Sequence, residues 1–410
     1  MVGHPAENDM ADGKGRNAMW GKAWPASAMA AALAGVLFAG TAAAQVPEGA
    51  KMPVAEEHNT VTLGEPGDHR VYVLDPVFPH LIAGKVYVVD GDEQQVIGTM
   101  NAGYVPNLVL GKGGKELYFA ETFWSRGTRG ERTDVVTTYD ASTLSPTGEV
   151  KLPRGRFLVV TKRWDAISTP DGRFLLSYNM DPATSVSVVD LENDEYVGEI
   201  ETPGCALMYP MADRRFAMLC ADGSLLTVDF DENGEAELSR GEPFFDAQND
   251  PVFEHAAVST SAEMTYYISY NGMVYPTDMS GETPEVGDAW SLVSEEDKAE
   301  NWRPGGWMPA SYHPGSDRLF VLMHQGGEWT HKNAGSEIWV FDASEGKRLD
   351  RIELEEHAAS VAVTKDDEPL LYALTEAASL SIFDAANGYA HKGTMGQLGD
   401  SPLVLMVHGE

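Results

Sequence analysis

The segment VYVVDGDEQQVIG (86–98) returns, altered in detail but not in pattern, six more times along the chain. The later copies are VVTTYDASTLSPTGEV (135–150), VSVVDLENDEYVGEI (186–200), LLTVDFDENGEAEL (225–238), VYPTDMSGETPEVG (274–287), IWVFDASEGKRLDRI (338–352) and LSIFDAANGYAHKG (380–393). Each is a short alternating run of Val, Ile and aromatic residues that stops at an aspartate, followed by a turn and a second β-prone run. The alternation suits a pleat with one face buried, and Asp followed by Gly, Asn or Ser closes a hairpin. The aspartates are Asp90, Asp140, Asp190, Asp229, Asp278, Asp342 and Asp384, and 294 residues separate the first from the last, about 49 per interval. That period is close to the length of a four-stranded propeller blade.

Upstream of most copies lies a turn followed by an apolar strand, as in KGGKELYFAE (112–121), TPDGRFLLSYN (169–179), HPGSDRLFVLM (313–323) and TKDDEPLLYAL (364–374). A further short strand precedes each, such as PNLVL (106–110), WDAIS (164–168) or SVAV (360–363). The two ends of the chain are complementary. RVYVL (70–74) lacks an inner strand before it, and SPLVLMVHG (401–409) is a strand with no repeat of its own. Joining them closes a ring and removes exposed edges. The expected fold is therefore all-β, a seven-bladed β-propeller over residues 66–410 closed by the C-terminal strand. Two stacked β-sandwiches are the alternative, and the regular period disfavours them.

The segment ASAMAAALAGVLFAGTAAA (26–44) follows Lys14, Arg16 and Lys22 and ends in an A-x-A arrangement at Ala42 and Ala44. It reads as a signal peptide over 1–44, cleaved after Ala44, and the expected location is the periplasm. Residues 45–65 are polar, contain Pro53 and read as an N-terminal arm. The 410 residues carry 63 acidic against 29 basic side chains, a formal net charge of −34. So acidic a chain is a poor ligand for nucleic acid or an anionic membrane, whose binding rests on Lys and Arg.

Catalytic signatures are scarce. The sequence holds no G-x-S-x-G elbow, H-E-x-x-H zinc helix or C-x-x-C-H haem attachment, and the Gly113–Gly114–Lys115 turn lacks the Ser or Thr of a phosphate loop. His324 and His331 are the closest histidine pair in a plausible loop, without an evident carboxylate partner, and no metal site is expected there. The repeat aspartates read as turn formers before they read as acids or bases. Cys205 and Cys220, the two cysteines, fall at the ends of neighbouring strands, and in an exported protein they are expected to form a structural disulfide. Between the fifth and sixth copies the spacing lengthens to 64 residues, and the insertion holds Trp290, Trp302 and Trp307 with the turn WRPGGW (302–307). Long rim loops carry binding in many folds, but these tryptophans read first as covers for blade edges.

The segments RGERTD (129–134), DPATSVSVVD (181–190), ADGSLLTVDF (221–230), EDKAENWRPGGW (296–307) and HKNAGSEIWVFDA (331–343), with the Cys205/Cys220 spacing, resemble the heavy subunit of the quinoprotein amine dehydrogenases, the methylamine and aromatic amine dehydrogenases. The resemblance implies a periplasmic heterotetramer of two heavy and two light chains. It places tryptophan tryptophylquinone on a small, cysteine-rich light subunit, so no catalytic or cofactor-binding residue is expected in this chain. The implied reaction is oxidative deamination of a primary amine to aldehyde and ammonia, with electrons leaving to a cupredoxin such as amicyanin or azurin. A heavy-chain phenylalanine of that family lines the substrate channel, and the matching segment VYVLDPVFPHL (71–81) puts Phe78 in that role. This segment is closer to the aromatic branch, whereas WRPGGW and GGEWTHK (326–332) are closer to the methylamine branch. The competing reading is a stand-alone periplasmic propeller that binds a small molecule or a partner without a quinone subunit.

Overall fold

In the first repeat the chain runs antiparallel through Arg70–Asp75, Lys85–Asp90 and Gln95–Asn101, and the C-terminal strand Val404–Val407 pairs with Arg70–Asp75 on the open side. The unpaired ends read from the sequence thus meet. A computed structural model describes residues 62–409. The leader at 1–44 and residues 45–61 of the arm lie outside the described residues.

Four further sheets follow the same plan. They begin at Tyr104–Leu110, Ala166–Ser168, Cys205–Pro210 and Ala257–Ser259, and each proceeds outward strand by strand. The first strands of neighbouring sheets pack on one another: Tyr104–Leu110 on Ala166–Ser168, Cys205–Pro210 on Ala166–Ser168, and Ala257–Ser259 on Ala310–His313. They therefore surround a common axis. The architecture is an all-β propeller.

Seven separate blades were the expectation, and the structure corrects it. Five sheets stand alone as blades, and the strands from Trp302–Pro304 to Ala390–Met395 form one eight-stranded sheet. The cause is Lys347–Val363, a strand of 17 residues. Its residues 347–353 pair with Gly335–Asp342, and its residues 358–363 pair with Leu370–Thr375. No Gly, Pro or Asn falls between 347 and 363 to break the run, so the outer strand of one repeat continues into the inner strand of the next.

The repeat aspartates act as turn formers, by a longer route than a two-residue hairpin. Asp90 Oδ1 accepts from the backbone N–H groups of Asp92 and Glu93, and Asp140, Asp190 and Asp384 do the same for residues two and three ahead. The residue four past the aspartate is left-handed in five repeats, at Gln94, Leu144, Asp194, Gly346 and Gly388, and a register shift follows in each hairpin. This is a turn joined to a β-bulge. Asp229 and Asp278 are the exceptions: Asp278 accepts from the Ser280 N–H without the left-handed residue or the register shift, whereas the strand Leu225–Phe230 runs past Asp229, and Asp231 accepts from Asn233 and Glu235.

Second strands lie between neighbouring sheets, so both their faces are covered. Arg70–Asp75, Phe174–Asn179 and Leu370–Thr375 are buried at every position. The second strand of each repeat contributes at least one large buried ring, among them Tyr72, Phe119, Phe174, Phe216, Tyr267, Phe320 and Tyr372. Outer strands such as Ala236–Arg240 face solvent. At the closing seam, Tyr372 Oη donates to the His69 carbonyl (2.7 Å), and the His69 ring lies between Asp92 (2.7 Å) and Asp366 (3.2 Å). Leu405 is fully buried there among Val71, Val73, Leu370 and Leu374.

Leu405→Ala is expected to cost about 2–5 kcal/mol in a urea titration through loss of apolar burial and the cavity left behind. Leu349→Ala, on an exposed outer position, is expected to change stability by less than about 0.5 kcal/mol.

Candidate functional site

Antiparallel pairing sends the connection between second and third strands to the same end of every sheet. Residues 76–84, 125–131, 180–184 and 326–334 therefore share one rim with the connections between successive sheets. Phe78 stands on the first of these loops, 46% exposed, in the short 3-10 turn Phe78–His80. Its position is set by Asp75, which is fully buried at the end of its strand. The Asp75 carboxylate accepts from the backbone N–H of Val77 (2.7 Å) and of Asp400 (2.7 Å), and from the N–H (3.2 Å) and hydroxyl (3.3 Å) of Ser401. Ser401 Oγ in turn accepts from the Phe78 N–H at 2.8 Å. Val77 is left-handed (φ 53°) to make the bend, and Gly399 (φ 113°) has no room for a β-carbon against the Asp75 carboxylate. The Phe78 loop is thereby tied to the segment that closes the ring.

The same rim carries other exposed apolar side chains: Ile82, Phe157, Val159, Met180 and Trp329. Near Phe157 they are organised by Arg132, whose guanidinium lies 3.8 Å from the Phe157 ring and 5.7 Å from Trp124 and is held by a two-pronged contact to Asp134 (2.8 Å each). Scattered apolar residues are ordinary on a surface; among the described residues six of the eleven large exposed ones, Phe78 included, stand on the loops of this rim.

Beneath this rim the inner strands are joined by polar groups that sequence reading did not single out. Fully buried Arg156 donates to the Val105 carbonyl (3.2 Å) and to Asn107 Oδ1. Asn107 donates to the Lys162 carbonyl (2.7 Å), and Lys162 Nζ pairs with Glu254 at 2.5 Å. The Arg163 N–H donates to His255 Nε2 (3.0 Å), and His255 lies against the Trp307 ring at 5.4 Å. Burial, with Lys162 beside it, pushes His255 down to about 3, so its ring is neutral at ordinary pH. Burial raises Asp165 to about 7, and the cations Lys162 and Arg156 only partly offset that. The charged run RGR and TKRWD in 154–165 was the available signal; its surroundings are supplied by residues 105–107, 254–255 and 307.

The remaining sequence candidates fall into structural roles. Cys205 and Cys220 form a disulfide across directly paired strand positions, and Arg240 Nη2 donates to Cys205 Sγ at 2.9 Å. Trp302 is buried against Trp339 (5.3 Å between ring centres), and Trp290 packs on Phe341 (5.5 Å), both as edge covers. His324 is buried and meets Thr330 Oγ1 at 2.9 Å, while His331 stacks flat on Tyr270 at 3.7 Å. Among the described residues no group of three or more His, Cys, Asp or Glu is placed to hold a metal ion. Among them, too, no helix is long and apolar enough to cross a membrane.

A closed ring of sheets, with exposed apolar side chains on one loop rim and buried polar groups beneath it, defines the chain as a β-propeller. Solved structures with this architecture include a putative 6-phosphogluconolactonase from Bacteroides fragilis (TM-score 0.57, 13% identity, 83% of this chain and 99% of that one). A dihydro-heme d1 dehydrogenase is similar too (TM-score 0.52, 14% identity, 86% of this chain and 78% of that one). At such identities the likeness is one of fold. The sequence pattern of the methylamine dehydrogenase heavy chain matches residues 67–408, and the chain belongs to that family. It is 36% identical over 391 residues to the methylamine dehydrogenase heavy chain of Methylorubrum extorquens (92% of this chain, 94% of the relative). It is 35% identical over 356 residues to that of Paracoccus versutus (86% and 83%). The family implies a light subunit as partner.

The Cys205→Ser/Cys220→Ser double variant is expected to lose about 3 kcal/mol in denaturant titration, as a loop of this length predicts. A pH effect follows from Asp165. Its folded-state value lies above the unfolded one near 3.8, so its contribution is fully present below about pH 4 and is lost as pH rises through about 7. Asp165→Asn should therefore gain stability relative to the wild type between pH 5 and pH 8, measured by urea titration at both.

Proposed function

We propose that this chain is the heavy subunit of a periplasmic amine dehydrogenase dependent on tryptophan tryptophylquinone. The enzyme converts primary amines to aldehyde and ammonia and passes electrons to a cupredoxin of the amicyanin or azurin type. The observation that carries this reading is the family match over nearly the whole described ring. The loop rim, with Phe78 at its seam, is the face for the small cysteine-rich light subunit in an assembly of two heavy and two light chains.

Among the described residues the indoles do not suit the quinone. Trp302 and Trp339 are the nearest pair, yet their N–H groups are engaged by Glu300 (3.2 Å) and Glu337 (2.6 Å), and the Arg351 guanidinium lies 4.8 and 4.9 Å from their rings. That is an interior aromatic and guanidinium stack, which favours a cofactor on the partner. When bound there, the quinone supplies the electrophilic carbonyl and accepts the electrons of the amine carbon. The present chain contributes shape: Phe78, held by Asp75 and Ser401, forms one wall of the amine's approach and sorts substrates by size.

The relatives are methylamine dehydrogenase heavy chains, and a small alkylamine is the favoured substrate class. Phe78→Ala in the assembled enzyme is expected to raise kcat/KM for phenylethylamine relative to methylamine by about tenfold or more, measured by amine-dependent dye reduction. An unchanged ratio removes Phe78 from the channel. Natively purified protein that runs as a single chain type without visible quinone absorbance overturns the subunit reading.

A further inference from the structure

His69 stands where the first and last repeats meet, just before the strand Arg70–Asp75 and at the opposite end of that strand from Phe78. Its carbonyl accepts from Tyr372 Oη of the last repeat (2.7 Å) and from the Gly91 N–H (3.1 Å). Gly91 has no room for a β-carbon, because one built there would overlap the Tyr372 hydroxyl. The imidazole is thus presented to both repeats from an anchored backbone.

Both of its nitrogens face acceptors. Nδ1 lies 2.7 Å from Asp92 Oδ1, on the hairpin turn of the first repeat. Nε2 lies 3.2 Å from Asp366 Oδ2 and 3.1 Å from the Glu368 carbonyl, on a turn of the last. Burial works against ionisation of Asp366, but the Thr364 hydroxyl (2.5 Å) and the Glu368 N–H (3.0 Å) outweigh it and hold its carboxyl below the usual range. A carboxylate and a carbonyl only accept, whereas a neutral imidazole carries one N–H. Only the imidazolium serves both sides. A neutral ring sets one lone pair against an acceptor oxygen and loses its hold on one repeat.

The surroundings favour the cation. Burial opposes the charge on His69, but Asp92 and Asp366 outweigh it and raise its pKa above the usual 6.5. The other acids on its own segment and on the two turns, Asp68, Asp90, Glu93, Asp367 and Glu368, add to the negative field. Cations of the same elements are directed to other partners: Arg70 donates to the Gly64 carbonyl (3.1 Å) and Lys365 to the Tyr312 carbonyl (2.7 Å). His313 Nε2, from the sixth repeat, meets the Asp366 carbonyl at 2.8 Å and leaves the carboxylate to His69. His408 is pushed down by burial and the Arg70 charge, and Tyr372 is kept protonated by burial and by Asp92, Asp90 and Asp366.

We propose that His69 is a pH-sensitive latch between the first and last repeats: its imidazolium holds the Asp92 and Asp366 turns together, and loss of one proton loosens this junction of the propeller. The device does not rest on the function proposed above. Because the folded-state pKa is raised, the stabilisation is fully present below 6.5 and is lost as pH rises above it.

The test is hydrogen exchange read by mass spectrometry on the purified native protein at pH 6 and pH 9, corrected for the intrinsic rate. Peptides covering 86–98 and 364–374 are expected to exchange about threefold or more faster at pH 9, while 225–238 in the fourth repeat stays unchanged. His69→Gln, neutral at both values, should abolish that difference. Asp92→Asn, at a side chain 60% exposed, should reduce it, which keeps the test decisive if His69→Gln fails to fold. Equal exchange of the two peptides at pH 6 and pH 9 in the wild type overturns the proposal. So does a pH difference of wild-type size in either variant.

Discussion

The structure depends on the pairing of its two chain ends, Val404–Val407 against Arg70–Asp75. An open ring of sheets exposes two edges, and closure removes them. Here the closure is fixed by more than ladder hydrogen bonds. Asp75 is a carboxylate with no exposure to water, a state that costs free energy unless its oxygens are fully engaged. Its donors come from residue 77 on one side and residues 400 and 401 on the other, so one buried charge holds the closing segment and the Phe78 loop together. A binding wall built on that loop inherits the rigidity of the seam.

Buried polar groups tie the inner strands to one another. On the loop side Arg156, Lys162, Glu254 and His255 knit inner strands together through bonds that join residues far apart in sequence. In the same segment Arg163 and Trp164 are buried against each other, the guanidinium 4.5 Å from the indole ring. One stretch of chain, 154–165, thus supplies three buried charged side chains, Arg156, Arg163 and Asp165. The strongly negative formal charge of the chain, −34, is carried mainly by exposed turns and outer strands, while several of its few cations are drawn inward.

Much of the ring was legible because its signals are local. Alternating runs, the aspartate turns and the unmatched end strands all act over fewer than about ten residues, and the disulfide pairs positions on adjacent strands. The sheet count was not legible, because whether 347–363 turns or runs straight is decided by the strands on both its flanks. The turn after LLTV moved from Asp229 to Asp231 for a similar reason: Phe230 is buried and extends the strand. Phe78 was reached through family resemblance, and its local sequence alone would serve as well for a plug under the loop. The axial polar groups were invisible because each partner lies about 50 to 90 residues from the next.

The continuous strand Lys347–Val363 also has a mechanical meaning. Two strand sets that share an unbroken backbone cannot pivot on each other without shearing hydrogen bonds on both sides, whereas sheets joined by loops can adjust by small rotations. Any strain that a partner imposes on the loop rim will be taken up at the other junctions, leaving the arc from Arg318 to Met395 as the stiff reference against which the rest of the ring yields.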